Sequence, residues 1–372
     1  MSGLIVIIGG LYIVAALIIW LGLGINRNPN HSSEITTGSL IICGRDEQRD
    51  LPACLQSVEE QTLAPDQLEV ILVNDASQDR TGQLMEEYAR TSKYPVKVLH
   101  MSPPQPGEPS GKWRPLKEGI KLAHHEGLLL TDADAVLSPA WAERHLAELG
   151  KAEVSAGFAL IDGKGLWNQI QCLDWLFLLG AGSSMARWGV PEAALGKNLA
   201  VRRADYDAAG GLESIGFTLT EDRALMRALV ARGAKVSFPL AADMLVSTPG
   251  VPTWSDYMHQ RKRWASGIRR LKPTGKFCVA AMALRHLSVI IGTLAGLPEA
   301  WWIWGASAAA NFIILRKTTT GLGLKKRLRF FIFWEVFYTW TAPFQAFYML
   351  KNRRVVWKGR KFPRSTLPAE TS

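Results

Sequence analysis

From Leu4 to Ile25 the chain carries no charged side chain and is mostly apolar. At ~1.5 Å per residue a helix of that length reaches about 33 Å, enough for a hydrocarbon core ~30 Å thick. Lipid offers the backbone no hydrogen-bond partner, so a single segment crossing it has to be helical. No basic residue precedes the run, it is longer than the apolar region of a secretory leader, and no small-x-small cleavage pattern follows it. Residues 1–26 are therefore expected to form a retained N-terminal transmembrane helix.

More apolar sequence lies in the last third. Phe277–Leu315 contains Leu287–Leu297 and Ala300–Leu315, separated by Pro298-Glu299, and Phe330–Leu350 follows, broken by Glu335 and Pro343. Basic clusters flank these stretches: Arg316, Lys317, Lys325, Lys326, Arg327 and Arg329, then Lys351, Arg353, Arg354, Lys358, Arg360 and Lys361. The positive-inside rule assigns both clusters to the cytoplasm. A single span over 330–350 would separate them, so either that segment dips in and returns or the rule fails once. The net charge is +10, and because much of it sits beside apolar segments it suits anionic lipid headgroups rather than nucleic acid. The four cysteines (Cys43, Cys54, Cys172, Cys278) have no metal-binding spacing. An odd three in the soluble part points to a reducing compartment.

Between these regions strands and helices alternate. A polar linker is expected over 27–38. Ser39–Cys43, Leu68–Val73, Val96–Met101 and Leu128–Leu130 read as strands. Leu51, Leu55 and Val58, then Leu84 and Tyr88, repeat at helical spacing, and Pro115 opens a helix with Leu116, Ile120 and Ala123 on its inner face. Such alternation predicts an α/β domain with a mostly parallel sheet and helices on both faces, and ligands in such sheets bind at the carboxyl ends of the strands. Asp75, Asp132 and Asp134 all fall there. The first strand is followed by Gly44-Arg45-Asp46-Glu47, without the glycine fingerprint of a dinucleotide-binding oxidoreductase.

Asp132 and Asp134 are two residues apart, so on extended backbone both carboxylates point the same way. Oxygen ligands of this kind suit a hard divalent cation, Mg²⁺ or Mn²⁺, which would bridge diphosphate oxygens. Four elements then recur in order: Asn74-Asp75-Ala76-Ser77-x-Asp79, the Asp-x-Asp pair, Thr220-Glu221-Asp222 opening a helix with Leu225 and Leu229 on its apolar face, and Gln260-Arg261-Lys262-Arg263-Trp264. With Gly111-Lys112 and Gly196-Lys197-Asn198 through Arg203, this set resembles the family 2 inverting glycosyltransferases of the GT-A (Rossmann-like) fold. The resemblance covers about Ser39 to Arg270 and departs from the usual pattern at Asn74 and Ala76, where many members carry Asp and Gly.

The resemblance implies a role for each matching residue. Asp75 would meet the nucleotide base, and Arg45 and Glu47 would line the nucleotide. Lys112 would meet the donor phosphates. Asp134 would bind the metal, with Asp132 beside it and near the donor sugar. Asp222 would be the general base that deprotonates the acceptor hydroxyl, and Arg263 would stabilise the departing diphosphate. Gln260, Trp264, Glu221 and Asn198 would shape the acceptor side. A carboxylate at a helix start is stabilised as the anion, with Thr220 in position to cap that helix. Base strength at Asp222 therefore requires burial and bound acceptor.

The expected organisation is a cytoplasmic catalytic domain over 39–253, an amphipathic interfacial segment over 254–276, membrane segments over 277–350 and a basic cytoplasmic tail over 351–372. The function this implies is transfer of a sugar from a UDP-sugar to a lipid or lipid-linked acceptor at the cytoplasmic membrane face, as in ceramide glucosyltransferase-like enzymes. A processive polysaccharide synthase is the alternative, since those also carry Gln-x-x-Arg-Trp. An inactive nucleotide-binding scaffold of the same fold is disfavoured by the intact Asp75, Asp132, Asp134, Asp222 and Arg263.

Overall fold

The computed structural model describes residues 2–25, 34–105, 108, 111–218, 220–265, 271–351, 355–357 and 360–362. Part of the expected linker (27–33), a stretch of the interfacial segment (266–270) and most of the basic tail lie outside the described residues.

Along the chain α1 (Ser2–Gly22) is followed by β1 (Gly38–Gly44), α2 (Leu51–Glu59), β2 (Leu68–Asn74), α3 (Thr81–Thr91), β3 (Val96–His100), α4 (Trp113–Lys121) and β4 (Gly127–Asp132). Next come β5 (Val136–Leu137), α5 (Trp141–Leu149), β6 (Val154–Ala156), β7 (Ala159–Asp162) and α6 (Leu166–Arg187). The chain continues with β8 (Leu199–Arg202), α7 (Arg203–Ala208), α8 (Gly211–Ile215), α9 (Glu221–Ala231), β9 (Val236–Ser237), β10 (Val246–Pro249) and α10 (Trp254–Ala265). Helices α11 (Pro273–Leu294), α12 (Pro298–Gly321) and α13 (Phe331–Lys351) precede the hairpin strands β11 (Val355–Trp357) and β12 (Arg360–Phe362).

Two compact units result. One, the sheet unit, comprises the described residues of 27–160 and 193–249; the other, the helical unit, comprises the described residues of 1–26, 161–192 and 250–365. The expected catalytic domain of 39–253 is thus divided differently: the stretch 161–192, with α6, groups with the helical unit. Its sequence gives the reason. Residues of α6 are buried nearly all round, a pattern that suits a helix inside a bundle better than one lying on a sheet.

The sheet unit is built on a seven-stranded sheet in the order β3-β2-β1-β4-β8-β6-β9. The first four of these strands are parallel to their neighbours, while β8 runs antiparallel to both β4 and β6. Leu40, Ile41, Ile42, Leu68, Ile71, Leu72, Leu128 and Leu129 are fully buried, as unbroken apolar runs in a sheet covered on both faces require. On α4, Leu116, Ile120 and Ala123 are buried as their spacing predicts. Gly119 of the same helix has to be glycine: a Cβ there would come within 2.8 and 2.9 Å of Val73 and Ile41 side chains.

In the helical unit α1 packs against α6, α11 and α12, and α13 against α6, α10 and α11. Among the described residues, α1 from Gly3 and α11 are the helices long and apolar enough to cross a membrane by length and composition. The polarity of this unit is inverted. Leu4, Ile7, Val14 and Leu17 of α1, Leu294 of α11 and Trp302 of α12 are exposed, whereas Arg285, Asn311 and Glu335 are fully buried. Arg285 pairs with Glu335 and donates to Ser307 Oγ and Thr339 Oγ1, each at 2.8 Å. Asn311 donates to the other Glu335 oxygen at 2.8 Å, and its own carbonyl oxygen accepts from Tyr12. Four helices are thereby joined by one satisfied ionic network.

Candidate active site

The site is assembled where the register of two antiparallel strands runs past their ends. Leu130 of β4 faces Leu199 of β8. Two residues further along one strand and two back along the other, Asp132 meets Lys197, whose Nζ lies 3.6 Å from Asp132 Oδ2. The same ammonium is 3.1 and 3.3 Å from the two Asp134 oxygens and donates to Thr248 Oγ1 at 2.8 Å. Thr248 in turn donates to Asp134 Oδ2 at 3.2 Å. The Lys197 backbone is fixed by Thr131, whose hydroxyl donates to the Lys197 carbonyl at 2.8 Å.

Lys112, at the start of α4, pairs with Asp132 Oδ1 and donates to the Gly196 carbonyl at 3.0 Å. Burial alone would push its pKa down, but the Asp132 carboxylate and then Glu221 outweigh burial and hold it well above the ordinary lysine value. Asp222, second residue of α9, accepts the Gly196 N–H at 2.7 Å through Oδ2 and the Arg223 N–H at 2.7 Å through Oδ1. Thr220 stands at the N-cap position of α9 without a side-chain capping bond. Gly196 therefore links Asp222 to Lys112 and, through it, to Asp132. No side chain fits at this crossing easily, because a Cβ on Gly196 would lie 3.2 Å from Lys112 Nζ and 3.3 Å from Asp222 Cβ.

Asp75 is buried at the end of β2, its N–H bonded to the Gly44 carbonyl at 2.9 Å. Arg45 reaches its carboxylate at 3.8 Å. Asp79, just before the N-cap position of α3, accepts the Thr81 N–H at 2.9 Å. Asp46 and Ala76 flank this point with φ of 54° and 53°, a left-handed conformation that is uncommon outside glycine and often marks functional turns. Glu47 is half-buried, its N–H held by Thr81 Oγ1 at 2.8 Å. Glu221, the first residue of α9, is buried.

Asn198 is placed differently from an acceptor contact. It is fully buried. Its amide donates to the carbonyls of Phe158 and Met244 at 2.7 and 2.8 Å, and its oxygen accepts from Trp141 Nε1 at 2.9 Å and His145 Nε2 at 2.8 Å. Both donors and both lone pairs are used, so no group is left to face a ligand. This network also fixes the imidazole: Nε2 carries the proton and Nδ1 accepts from Ser155 Oγ at 2.8 Å. Burial depresses the His145 pKa to about 4. Asn198 thus braces the strand that presents Lys197 instead of touching substrate.

Gln260, Arg263 and Trp264 lie on α10 in the helical unit. Trp264 packs edge-on against Trp175 at 5.1 Å between ring centres, and the Arg261 guanidinium lies 4.6 Å over its ring. Arg261 also pairs with buried Asp174, which accepts the Tyr257 hydroxyl at 2.8 Å. Arg263 is half-buried, and Gln260 Oε1 is buried with no hydrogen-bond partner among the described residues.

No cluster of three or more His, Cys, Asp or Glu side chains gathers for a metal among the described residues. The Asp132–Asp134 pair nevertheless fits a cation, because the Lys197 ammonium already lies against oxygens of both. An all-oxygen pair completed by water and phosphate oxygens is the donor set a Mg²⁺-like ion takes.

A parallel-edged α/β sheet with acidic side chains gathered at its strand ends defines a mixed α/β, GT-A-like glycosyltransferase fold. It is similar to that of the mannosyltransferase PcManGT from Pyrobaculum calidifontis in complex with GDP-Man and Mn²⁺, with a TM-score of 0.58 and 16% identity over 90% of this chain and 98% of that one. A Staphylococcus aureus TarS fragment in complex with UDP-GlcNAc matches at a TM-score of 0.44 and 16% identity over 88% of this chain and 96% of that one. The chain belongs to glycosyl transferase family 21, with the match running over residues 11–366. The family shown is family 21, where the motifs resembled family 2. Among relatives in sequence, the probable glycosyltransferase YdaM of Bacillus subtilis (strain 168) is 26% identical over 244 residues, 63% of this chain and 56% of that protein. The chain spans about half the length of that relative.

Proposed function

We propose that the protein is an inverting glycosyltransferase that moves a sugar from a nucleotide-sugar donor, a UDP-sugar, to a lipid or lipid-linked acceptor at the cytoplasmic face of a membrane. The observation that carries this reading is the link from Asp222 through Gly196 to Lys112 and Asp132. It sets a carboxylate acceptor of protons beside a cationic and acidic cluster suited to a sugar diphosphate.

In the proposed reaction the Asp222 carboxylate takes the proton of the acceptor hydroxyl. The oxygen attacks the anomeric carbon, and the bond to the diphosphate breaks with its electron pair leaving on phosphate oxygen. In-line attack inverts the centre. Lys112 faces the diphosphate as a fixed positive charge, and Asp75 with Arg45 and Glu47 receives the base and ribose side. Asp132 and Asp134 would hold Mg²⁺ or Mn²⁺, which when bound supplies positive charge to the leaving diphosphate. Arg263 and Trp264 are assigned to the leaving group and acceptor by their motif. The GDP-Man and Mn²⁺ held by the Pyrobaculum calidifontis mannosyltransferase support a nucleotide-sugar donor and a divalent ion.

The membrane assignment draws support from the inverted polarity of the helical unit, with apolar side chains outward and the Arg285–Glu335 pair inward, the pattern expected of helices in lipid. The test is sugar transfer in isolated membranes from a panel of labelled UDP- and GDP-sugars with Mn²⁺ or Mg²⁺. Label in one discrete lipid species is expected. Label in a polydisperse, lipid-insoluble product would replace this reading with a polysaccharide synthase, and no label from any donor would reject transferase activity for the panel.

A further inference from the structure

Lys197 has no part in the proposed reaction, yet it holds the centre of the carboxylate cluster. Its Nζ contacts both Asp134 oxygens at 3.1 and 3.3 Å and Asp132 Oδ2 at 3.6 Å, and the side chain is only 12% exposed. The oxygens a divalent ion would need are the ones this ammonium already occupies. A dication and an ammonium cannot share them, because like charges a few ångströms apart in a partly buried site repel strongly. The lysine stem is flexible, so Nζ can swing away while the strand register keeps its Cα in place.

We propose that Lys197 is the resident counter-cation of the Asp132–Asp134 pair, and that its ammonium and a divalent ion exclude one another there. This rests on reading the pair as the cation site. One consequence is ordered assembly. A divalent ion arriving alone has to displace the ammonium from both carboxylates, whereas an ion arriving with a diphosphate also brings anionic oxygens that the ammonium can meet. With Lys112 on Asp132 Oδ1 as the second cation, the arrangement keeps the two carboxylates charge-balanced and holds metal affinity low until donor is present.

The test uses the full chain in lipid nanodiscs, with Mn²⁺ alone as the probe and free Mn²⁺ read by its electron paramagnetic resonance signal. Lys197→Met is expected to bind Mn²⁺ about tenfold or more tightly than wild type. Lys197→Arg, which keeps the charge, is expected to stay within about threefold of wild type. Lys197→Gln serves as a second neutral variant should the methionine disturb the fold, with the same gain expected. Asp134→Asn is expected to remove the gain. Equal Mn²⁺ affinity in the neutral variants and wild type, with Asp134→Asn weakening all of them, would overturn the role of Lys197 and leave the cation site standing. Mn²⁺ binding indifferent to Asp134→Asn in every background would overturn the cation site and the proposal together.

Discussion

The Asp222 carboxylate accepts the backbone N–H of Gly196 at 2.7 Å, and the carbonyl of the same Gly196 accepts from Lys112 at 3.0 Å. One glycine therefore sets the distance between the proposed base and the proposed phosphate-facing lysine. Gly196→Ala adds a Cβ within 3.2–3.4 Å of both side chains. Lys112 Nζ is a flexible tip, whereas Asp222 Cβ yields only with its backbone, so the fold should survive a small local shift, with unfolding stability lowered by about 1 kcal/mol. Turnover should fall about tenfold or more, because small displacements of a positioned group are costly in catalysis. Steady-state kinetics beside a thermal unfolding curve checks both halves; a large stability loss with unchanged kcat would show that Gly196 serves packing alone.

Asn198→Ala should act on stability. It strands the Trp141 and His145 N–H groups and the Met244 carbonyl inside the core, while the Phe158 carbonyl keeps the Val246 N–H at 3.1 Å. Unsatisfied buried groups cost about 1–3 kcal/mol each, so a loss of ~3 kcal/mol or more is expected by denaturant unfolding. Unchanged stability with a raised acceptor KM would restore Asn198 to the acceptor surface.

The first three strands, the fourth as far as Leu130, and the inner face of α4 are legible in the sequence because each depends on local apolar periodicity. The carboxylates were legible too, since Asp75 and Asp132 stand at strand ends whatever the strands pair with. Lys197 and Asn198 were not. Their placement follows from the antiparallel pairing of β8 with β4, which sets Leu199 opposite Leu130; nothing local encodes that register. The grouping of α6 with the other long helices is not legible for a related reason: its apolar residues fit a core of either unit, and only packing against other helices decides which.

His145 gives a pH signature. Its pKa is depressed to about 4 in the fold by burial, against ~6.5 when unfolded. The unfolded chain binds the proton more readily, so this residue's contribution is fully present above about pH 6.5 and is lost as pH falls toward 4. The loss should total about 3 kcal/mol. Unfolding curves of wild type and His145→Gln across that window are expected to converge as pH falls. Parallel curves would show that His145 is protonated without penalty.

In the helical unit, Glu335→Ala leaves the fully buried Arg285 guanidinium without its carboxylate. Breaking such a pair from one side costs about 3–5 kcal/mol. Replacing both members, Arg285→Met with Glu335→Met, should recover most of it. Thermal unfolding in nanodiscs measures the difference; a single variant as stable as the double one would mean the pair does not hold the bundle.

Asp222→Asn, assayed for both sugar transfer and nucleotide-sugar binding, separates proton removal from donor binding. The asparagine keeps an oxygen for the Gly196 N–H while removing the base. Transfer should fall by about 10²–10⁴-fold with donor affinity within about threefold of wild type. Transfer at a near wild-type rate would contradict Asp222 as the base and, with it, the mechanism built on this site.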